Sequence, residues 1–477
     1  MKISPLQEAR YEYAPKLPGM LRNGIAEISV KEGAATQSVA DQEKIAELFP
    51  NTYGKPEITF EKGQNTSAAK KQVVGVILSG GQAPGGHNVV SGLYDALKAT
   101  DKENVLLGFK GGPSGLLEDD FIEMTDEYID KFRNTGGFDI IGSGRTKLET
   151  QEQFAVAAEV CKKHGITAIV IIGGDDSNTN ACTLAEYMAA NNTGVQVIGC
   201  PKTIDNDLAL TDHTPGYGSA AKYIGTSMKE IIRDSFCLEY SKGLVTIVEV
   251  MGRNAGWLTG AAALAEGEDC EGPDMIYMPE LAFDIVNFRD RVEALLKKKT
   301  SVVVAVSEGI CTADGKYVCE LGNSVDFVDA FGHKQLSGTA AYLANYIAGE
   351  LGCKTRAIEL STLQRAASHC SSRVDILEAY QVGGAAVKAA DEGDSGKMVV
   401  LQRLSDDPYQ CGTEVKDVHK IANDEKLVPR EWVNEDGTYV TGEFVSYVRP
   451  LIQGDVSPVM VDGIPRHLYT PRELSER

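Results

Sequence analysis

The sequence predicts an α/β protein with two doubly wound, mainly parallel-sheet lobes and an N-terminal extension. Three observations lead there. Continuous apolar runs of strand length recur along the chain, as strands buried on both faces require. Stretches with helical character alternate with them. Many of the 49 glycines directly follow the apolar runs, where a strand turns into a helix. At 477 residues the chain is too long for one small core, so two domain-sized units with terminal additions are expected. A hydrophobic fraction of 43% and a charged fraction of 24% are ordinary for a folded protein.

Residues 1–70 read as an extension, because Pro15, Pro18, Pro50 and Pro56 interrupt the helical signals and leave one short helix around 39–48. The pattern changes at Gln72. The run Val73–Leu78 ends in Ser79-Gly80-Gly81 and is followed by a helix over about 87–97. A second run, 168–172, stops at Gly173-Gly174-Asp175-Asp176 before a helix over about 180–190. Residues 195–200 then lead into Pro201-Lys202-Thr203-Ile204-Asp205-Asn206-Asp207. Further buried strands are expected at Leu244–Val250, 302–306 and 356–360, with helices at 339–348 and 374–390. The stretch 209–218, with Pro215, is a suitable crossing between lobes. The expected divisions are therefore an extension at 1–70, a first lobe at 71–213 and a second at 214–392. A polar, irregular segment at 393–477 is expected to pack back on the first lobe.

The formal net charge of −21 excludes a general nucleic-acid or anionic-membrane binder, since both need a basic surface. It leaves room for an anionic ligand held locally by Lys, Arg and helix N-termini. The ten cysteines fall singly, with no C-x-x-C pair, which argues against zinc and thioredoxin-like chemistry. No apolar stretch is long enough to span a bilayer, and the N-terminus lacks a signal pattern, so a cytoplasmic location is expected.

In open α/β sheets, ligands sit outside the carboxyl ends of the strands. Four polar clusters follow strands here. The glycine-rich Ser79–Gly86 stretch either lets backbone N–H groups approach an anion or is a tight turn with no ligand. It lacks the Gly-Lys-Ser/Thr of a P-loop, and Gly142-Ser143-Gly144 lacks the third glycine of a dinucleotide fingerprint. Asp175 and Asp176 suit Mg²⁺, which takes one or two carboxylates plus phosphate oxygens; the alternative is a helix-capping turn. In the third cluster, an aspartate on a rigid turn can take a hydroxyl proton while Lys202 offsets phosphate charge. The fourth, Met251-Gly252-Arg253, offers a guanidinium that can fork onto phosphate or remain a surface charge.

Taken in order, SGGQAPGG, GGDDSNTN, PKTIDND, EVMGR and LQR (363–365) resemble the phosphofructokinase family, and its pyrophosphate-dependent branch in particular. The resemblance covers roughly residues 5–390 and includes the run at 38–56. It implies transfer of a phosphoryl group from pyrophosphate to the 1-hydroxyl of fructose 6-phosphate, reversibly, with Mg²⁺ as cofactor. Asp205 would be the base, flanked by Thr203 and Asp207, with Lys202 and Arg253 on the transferring group. Gly80, Gly81, Arg145, Asp176 and Lys202 would meet pyrophosphate in the first lobe, and Asp175 would hold the metal. Met251, Gly252, Glu308 and Arg365 would bind the sugar phosphate in the second lobe. Arg356 would reach a neighbouring subunit's site, implying a homodimer or homotetramer.

ATP-using relatives carry glycine at the positions of Asp176 and Lys202. A carboxylate at 176 would fill the space of the α-phosphate and repel it by about 4 kcal/mol at ~4 Å and an effective dielectric of about 20. Pyrophosphate is therefore the expected donor. The alternatives are an ATP-dependent 6-phosphofructokinase and a non-catalytic regulatory subunit of the same fold.

Overall fold

The computed structural model describes residues 28–50, 53–62, 71–322, 336–418 and 425–468. The chain divides into two compact units: one takes the N-terminal residues through 71 together with 99–102, and the other takes 72–98 and 103–477. In the small unit, β1 (Ile28–Ala35) pairs antiparallel with β2 (Pro56–Lys62), and a helix at Gln42–Leu48 lies between them in sequence. That helix is the one expected around 39–48.

The large unit contains two sheets. The first is built from β3 (Val73–Leu78), β4 (Val105–Phe109), β5 (Phe121–Glu123), β6 (Ala168–Gly173), β7 (Gln196–Pro201), β12 (Lys397–Asp406) and β13 (Tyr409–Asp417), in the order β13-β12-β7-β6-β3-β4-β5. β12, β7, β6, β3 and β4 run parallel, while the edges β5 and β13 are antiparallel. The second sheet holds β8 (Leu244–Val250), β9 (Met275–Tyr277), β10 (Ser301–Ser307) and β11 (Lys354–Glu359), all parallel, in the order β11-β8-β10-β9.

The continuous apolar runs are explained by burial on both faces. Along β3 and β6, Val74, Val76, Leu78, Val170 and Ile172 join one core cluster, while Ile77, Ile169 and Ile171 join another on the opposite face. The second sheet repeats this: Val248, Val250, Val303 and Ala305 face one cluster, and Val245, Ile247, Val302 and Val304 the other. With each such side chain worth about 1.5–3 kcal/mol of burial, no polar residue is tolerated in these runs without a partner. β8 carries two, each partnered: Thr246 Oγ1 shares a hydrogen bond with Ser235 Oγ at 3.0 Å, and the Glu249 carboxylate accepts the Ala340 N–H at 2.8 Å at the start of a helix.

In the first sheet the strand order reverses beside β3, with β4 on one side and β6 on the other. The loops after β3 and β6 therefore part at the point where doubly wound sheets bind ligands.

Residues beyond 393 differ from the irregular segment expected. β12 and β13 form a long hairpin that extends the first sheet past β7. Only Met398–Leu401 of β12 is continuously buried, and the remainder alternates between polar and half-buried residues, which hides the strands among Asp, Ser and Lys. Val428, Val433, Val440, Phe444, Val448 and Leu451 instead join the apolar cluster of the second sheet, where Phe444 stacks on Trp257. No helix among the described residues is long and apolar enough to cross a membrane.

Two long helices meet at glycines. Helix α1 (Gly86–Thr100) and helix α3 (Arg373–Asp391) approach so closely that a Cβ at Gly92 would lie 2.0 Å from the Tyr380 carbonyl oxygen. One at Gly383 would lie 2.1 Å from that of Val89. At Gly384, one residue along, a Cβ meets nothing within 4 Å. Alanine adds about 1 kcal/mol of helix propensity at either site, whereas overpacking a close contact costs about 1–3 kcal/mol. Gly384→Ala should therefore hold or raise the melting temperature, and Gly383→Ala should lower it, as thermal unfolding of the pair will show.

Candidate active site

Loops after three neighbouring strands of the first sheet are tied together before any ligand is considered. After β3, Ser79 shares a hydrogen bond with Ser177, whose Oγ lies 2.8 Å away beyond β6. After β7, Lys202 donates from Nζ to the Gly81 carbonyl at 2.7 Å and lies 5.1 Å over the Phe138 ring. Ser143 Oγ donates to the Gly80 carbonyl at 2.6 Å, which brings the loop carrying Arg145 alongside.

The acidic pair sits differently from the turn expected. Helix α2 runs Asp175–Ala190, so Gly174 is its N-cap and both aspartates lie in its first turn rather than ahead of a helix near 180. Carboxylates are favoured there by the partial positive charge of the helix N-terminus. Asn178 fastens the junction by donating from Nδ2 to the carbonyls of Gly173 and Gly174 at 3.0 and 2.9 Å.

The loop after β7 carries the central carboxylates. The Asp205 N–H donates to Thr203 Oγ1 at 3.0 Å, and Thr214 Oγ1 donates to the Thr203 carbonyl at 2.7 Å. Asn206, between Asp205 and Asp207, is fully buried with a left-handed φ of 55°.

The second sheet supplies the opposite wall. After β8, Gly252 adopts φ 135°, where any side chain would be strained and a Cβ would lie 2.6 Å from the Ala255 carbonyl oxygen. Its carbonyl accepts from Ser307 Oγ and its N–H points to Glu308 Oε1 at 3.4 Å, joining the ends of β8 and β10. The Met251 N–H donates to Gln364 Oε1 at 3.3 Å, joining the segment after β11. Gln364 lies in the LQR stretch that carries the resemblance, but the sequence assigned it no role.

These walls converge. A Cβ on Gly81 would lie 3.0 Å from Arg365 Nη1 and 3.9 Å from Arg145 Nη2, so guanidinium groups reach the glycine loop from two directions. Lys202 is held down at about 8 by burial, with Asp205 opposing and Arg365 and Arg145 adding to the effect. Burial raises Asp205 against the pull of Lys202, Arg253 and Arg365. Burial, then Asp205, lifts Asp207 to about 7 and Glu308 to about 8. Arg145 is lowered by desolvation and by Arg365 and Arg253, with Asp176 opposing. Four basic side chains thus share one crevice with Asp205, Asp207 and Glu308, an arrangement that receives a multiply charged anion and holds a carboxylate beside it.

Arg356 stands apart, on the edge strand β11, in an ion pair with Asp234. For a cation, the one group of three potential ligands among the described residues is His213, Glu378 and Cys411. Both nitrogens of that imidazole are already engaged, by Asp212 Oδ2 at 2.7 Å and Glu378 Oε2 at 2.6 Å. Asp175, in the first turn of helix α2 beside Asp176, offers a carboxylate of the kind that Mg²⁺ takes together with waters and phosphate oxygens.

Residues 73–390 match the family model described as "PFK: Phosphofructokinase". The chain is 48% identical over 266 residues to the pyrophosphate–fructose 6-phosphate 1-phosphotransferase of Porphyromonas gingivalis, an alignment covering 55% of this chain and 47% of that protein. It thus spans about half the length of that relative. With the protein of the same name from Halomonas elongata it shares 38% over 398 residues, covering 81% of this chain and 93% of the relative. The crystal structure of pyrophosphate-dependent phosphofructokinase from Nitrosospira multiformis superposes with a TM-score of 0.74 at 32% identity, over 86% of this chain and 99% of that one. On both the sequence match and the superposed fold, the chain belongs to the phosphofructokinase family.

Proposed function

We propose that this protein transfers a phosphoryl group from pyrophosphate to the 1-hydroxyl of fructose 6-phosphate, giving fructose 1,6-bisphosphate and phosphate, in either direction. The observation that carries this reading is the Lys202 ammonium, buried against the Gly81 carbonyl at 2.7 Å in the floor of the crevice and near Asp205. It is supported by the names of the relatives with which the chain shares 48% and 38% identity.

In this reading Asp205 takes the proton of the attacking hydroxyl, and Thr203 and Asp207 hold its turn and the sugar. Lys202 and Arg253 balance charge on the group in transfer, which is the main demand of phosphoryl chemistry. Gly80, Gly81 and Arg145 receive the donor's far phosphate, while Asp176 occupies the space a nucleotide would need. Met251, Gly252, Glu308 and Arg365 bind the sugar phosphate. Asp175 would hold Mg²⁺, which would supply charge neutralisation for the donor. Arg356, on its edge strand, is assigned to a neighbouring subunit's site in a homo-oligomer, dimer or tetramer. A cytoplasmic setting is consistent with ten cysteines that are all free thiols.

The donor is tested by comparing kcat/KM with magnesium pyrophosphate and with magnesium ATP. An advantage for pyrophosphate of about 1,000-fold corresponds to the ~4 kcal/mol repulsion at Asp176. The double variant Asp176→Gly/Lys202→Gly should lose most of it, and equal or better use of ATP by the unaltered protein overturns the reading. Lys202 also sets a pH dependence. With the free ammonium titrating at about 8, rising pH discharges it, and pyrophosphate binding weakens toward about tenfold per pH unit above that point. Titration calorimetry should show that alkaline limb, and Lys202→Met should flatten it.

A further inference from the structure

The stretch beyond residue 390, outside the family-model match, reaches the back of the Asp205 turn. Lys426 Nζ donates to Asn206 Oδ1 at 3.2 Å, to the Asp212 carbonyl at 2.6 Å and to the Thr211 carbonyl at 3.3 Å. Its backbone N–H donates to the Asp207 carbonyl at 2.7 Å. Lys426 is itself held by Trp257, whose ring face lies 5.1 Å from the ammonium and whose Nε1–H donates to the Lys426 carbonyl at 2.7 Å. On the other side of the turn, Tyr447 OH accepts from Asn206 Nδ2 at 3.0 Å and donates to the Asp212 carbonyl at 2.6 Å. Arg403, on β12, donates from Nη2 to the Tyr447 carbonyl at 3.0 Å and covers its ring at 4.6 Å.

Both ends of the Asn206 side-chain amide are therefore occupied, its oxygen by Lys426 and its nitrogen by Tyr447. That amide belongs to the residue between Asp205 and Asp207, and it anchors a left-handed backbone that asparagine tolerates better than most side chains. Charged donors such as the Lys426 ammonium make the stronger hydrogen bonds, and this one satisfies three oxygens of a single loop. Burial lowers Lys426 to about 8, so it remains largely charged at neutral pH.

We propose that Lys426 and Tyr447 are positioning residues for the reaction: from the C-terminal segment they clamp Asn206 and so aim the Asp205 carboxylate at the acceptor hydroxyl. The inference rests on the reading of Asp205 as the proton acceptor, but it concerns residues to which that reading gives no substrate contact.

The test uses the full-length chain with Lys426→Met and Tyr447→Phe, measuring kcat, KM for both substrates, melting temperature and amide hydrogen exchange over 203–212. A misdirected base lowers kcat by about 10- to 100-fold in Lys426→Met while both KM values stay within about threefold, because a displacement of order 1 Å costs catalysis far more than binding. Tyr447→Phe, which removes one hydroxyl, should show the same split more mildly and keeps the test open if Lys426→Met fails to fold. Exchange over 203–212 should quicken in both. Unchanged kcat in folded variants, or unchanged exchange over that loop, overturns the proposal. If the unaltered protein does not turn over pyrophosphate, the proposed function falls, whereas the exchange measurement still decides whether the clamp holds the turn.

Discussion

Setting a buried lysine and a half-buried aspartate three residues apart, at the end of one parallel strand, is the constraint on which this crevice depends. Neither Lys202 nor Asp205 is stable as a charge in an apolar setting alone; each offsets the other, and Arg253 and Arg365 add to the support of Asp205 while Arg365 and Arg145 repel Lys202. The sheet makes this possible. β7 is buried on both sides, so the residues just past its end emerge into a site walled by protein rather than into bulk water. The second sheet then needs only to bring Arg253, Glu308 and Arg365 to the same place, which it does through hydrogen bonds among the ends of β8, β10 and β11.

The same constraint divides what was legible in the sequence from what was not. Strands buried on both faces announce themselves as unbroken apolar runs, so β3, β6, β7, β8 and β10 could be read almost to the residue. The polar residues that follow them stood out because nothing in a buried strand explains Asp205 or Lys202. The start of α2 was misjudged, because Gly-Gly-Asp-Asp reads equally as a turn and as a helix N-terminus. Helix-dipole stabilisation of the two carboxylates and the Asn178 side chain favour the latter. The β12–β13 hairpin was missed for the opposite reason: at this side of the sheet, beyond Leu401, its strands carry Lys, Asp and Ser in half-buried and exposed positions, and their pattern is close to that of a loop.

Lys426, Tyr447 and Arg403 were beyond reach of sequence reading. Each lies more than 190 positions from the loop it touches; the packing of Phe444 and Trp432 around Trp257 and the pairing of β12 with β13 bring them there. A site of this kind has two sources of order. Local turn chemistry shapes the chain from Thr203 to Asp207, and distant side chains hold that shape from behind.

Turnover by Asp205→Asn bears most directly on this arrangement, measured together with calorimetric binding of fructose 6-phosphate to the same variant. The amide keeps the size of the carboxylate but cannot take the hydroxyl proton. A fall in kcat of about 100- to 10,000-fold with sugar-phosphate binding retained is the expected result. Turnover near that of the unaltered protein would contradict the assignment of Asp205 as the base on which the crevice is organised.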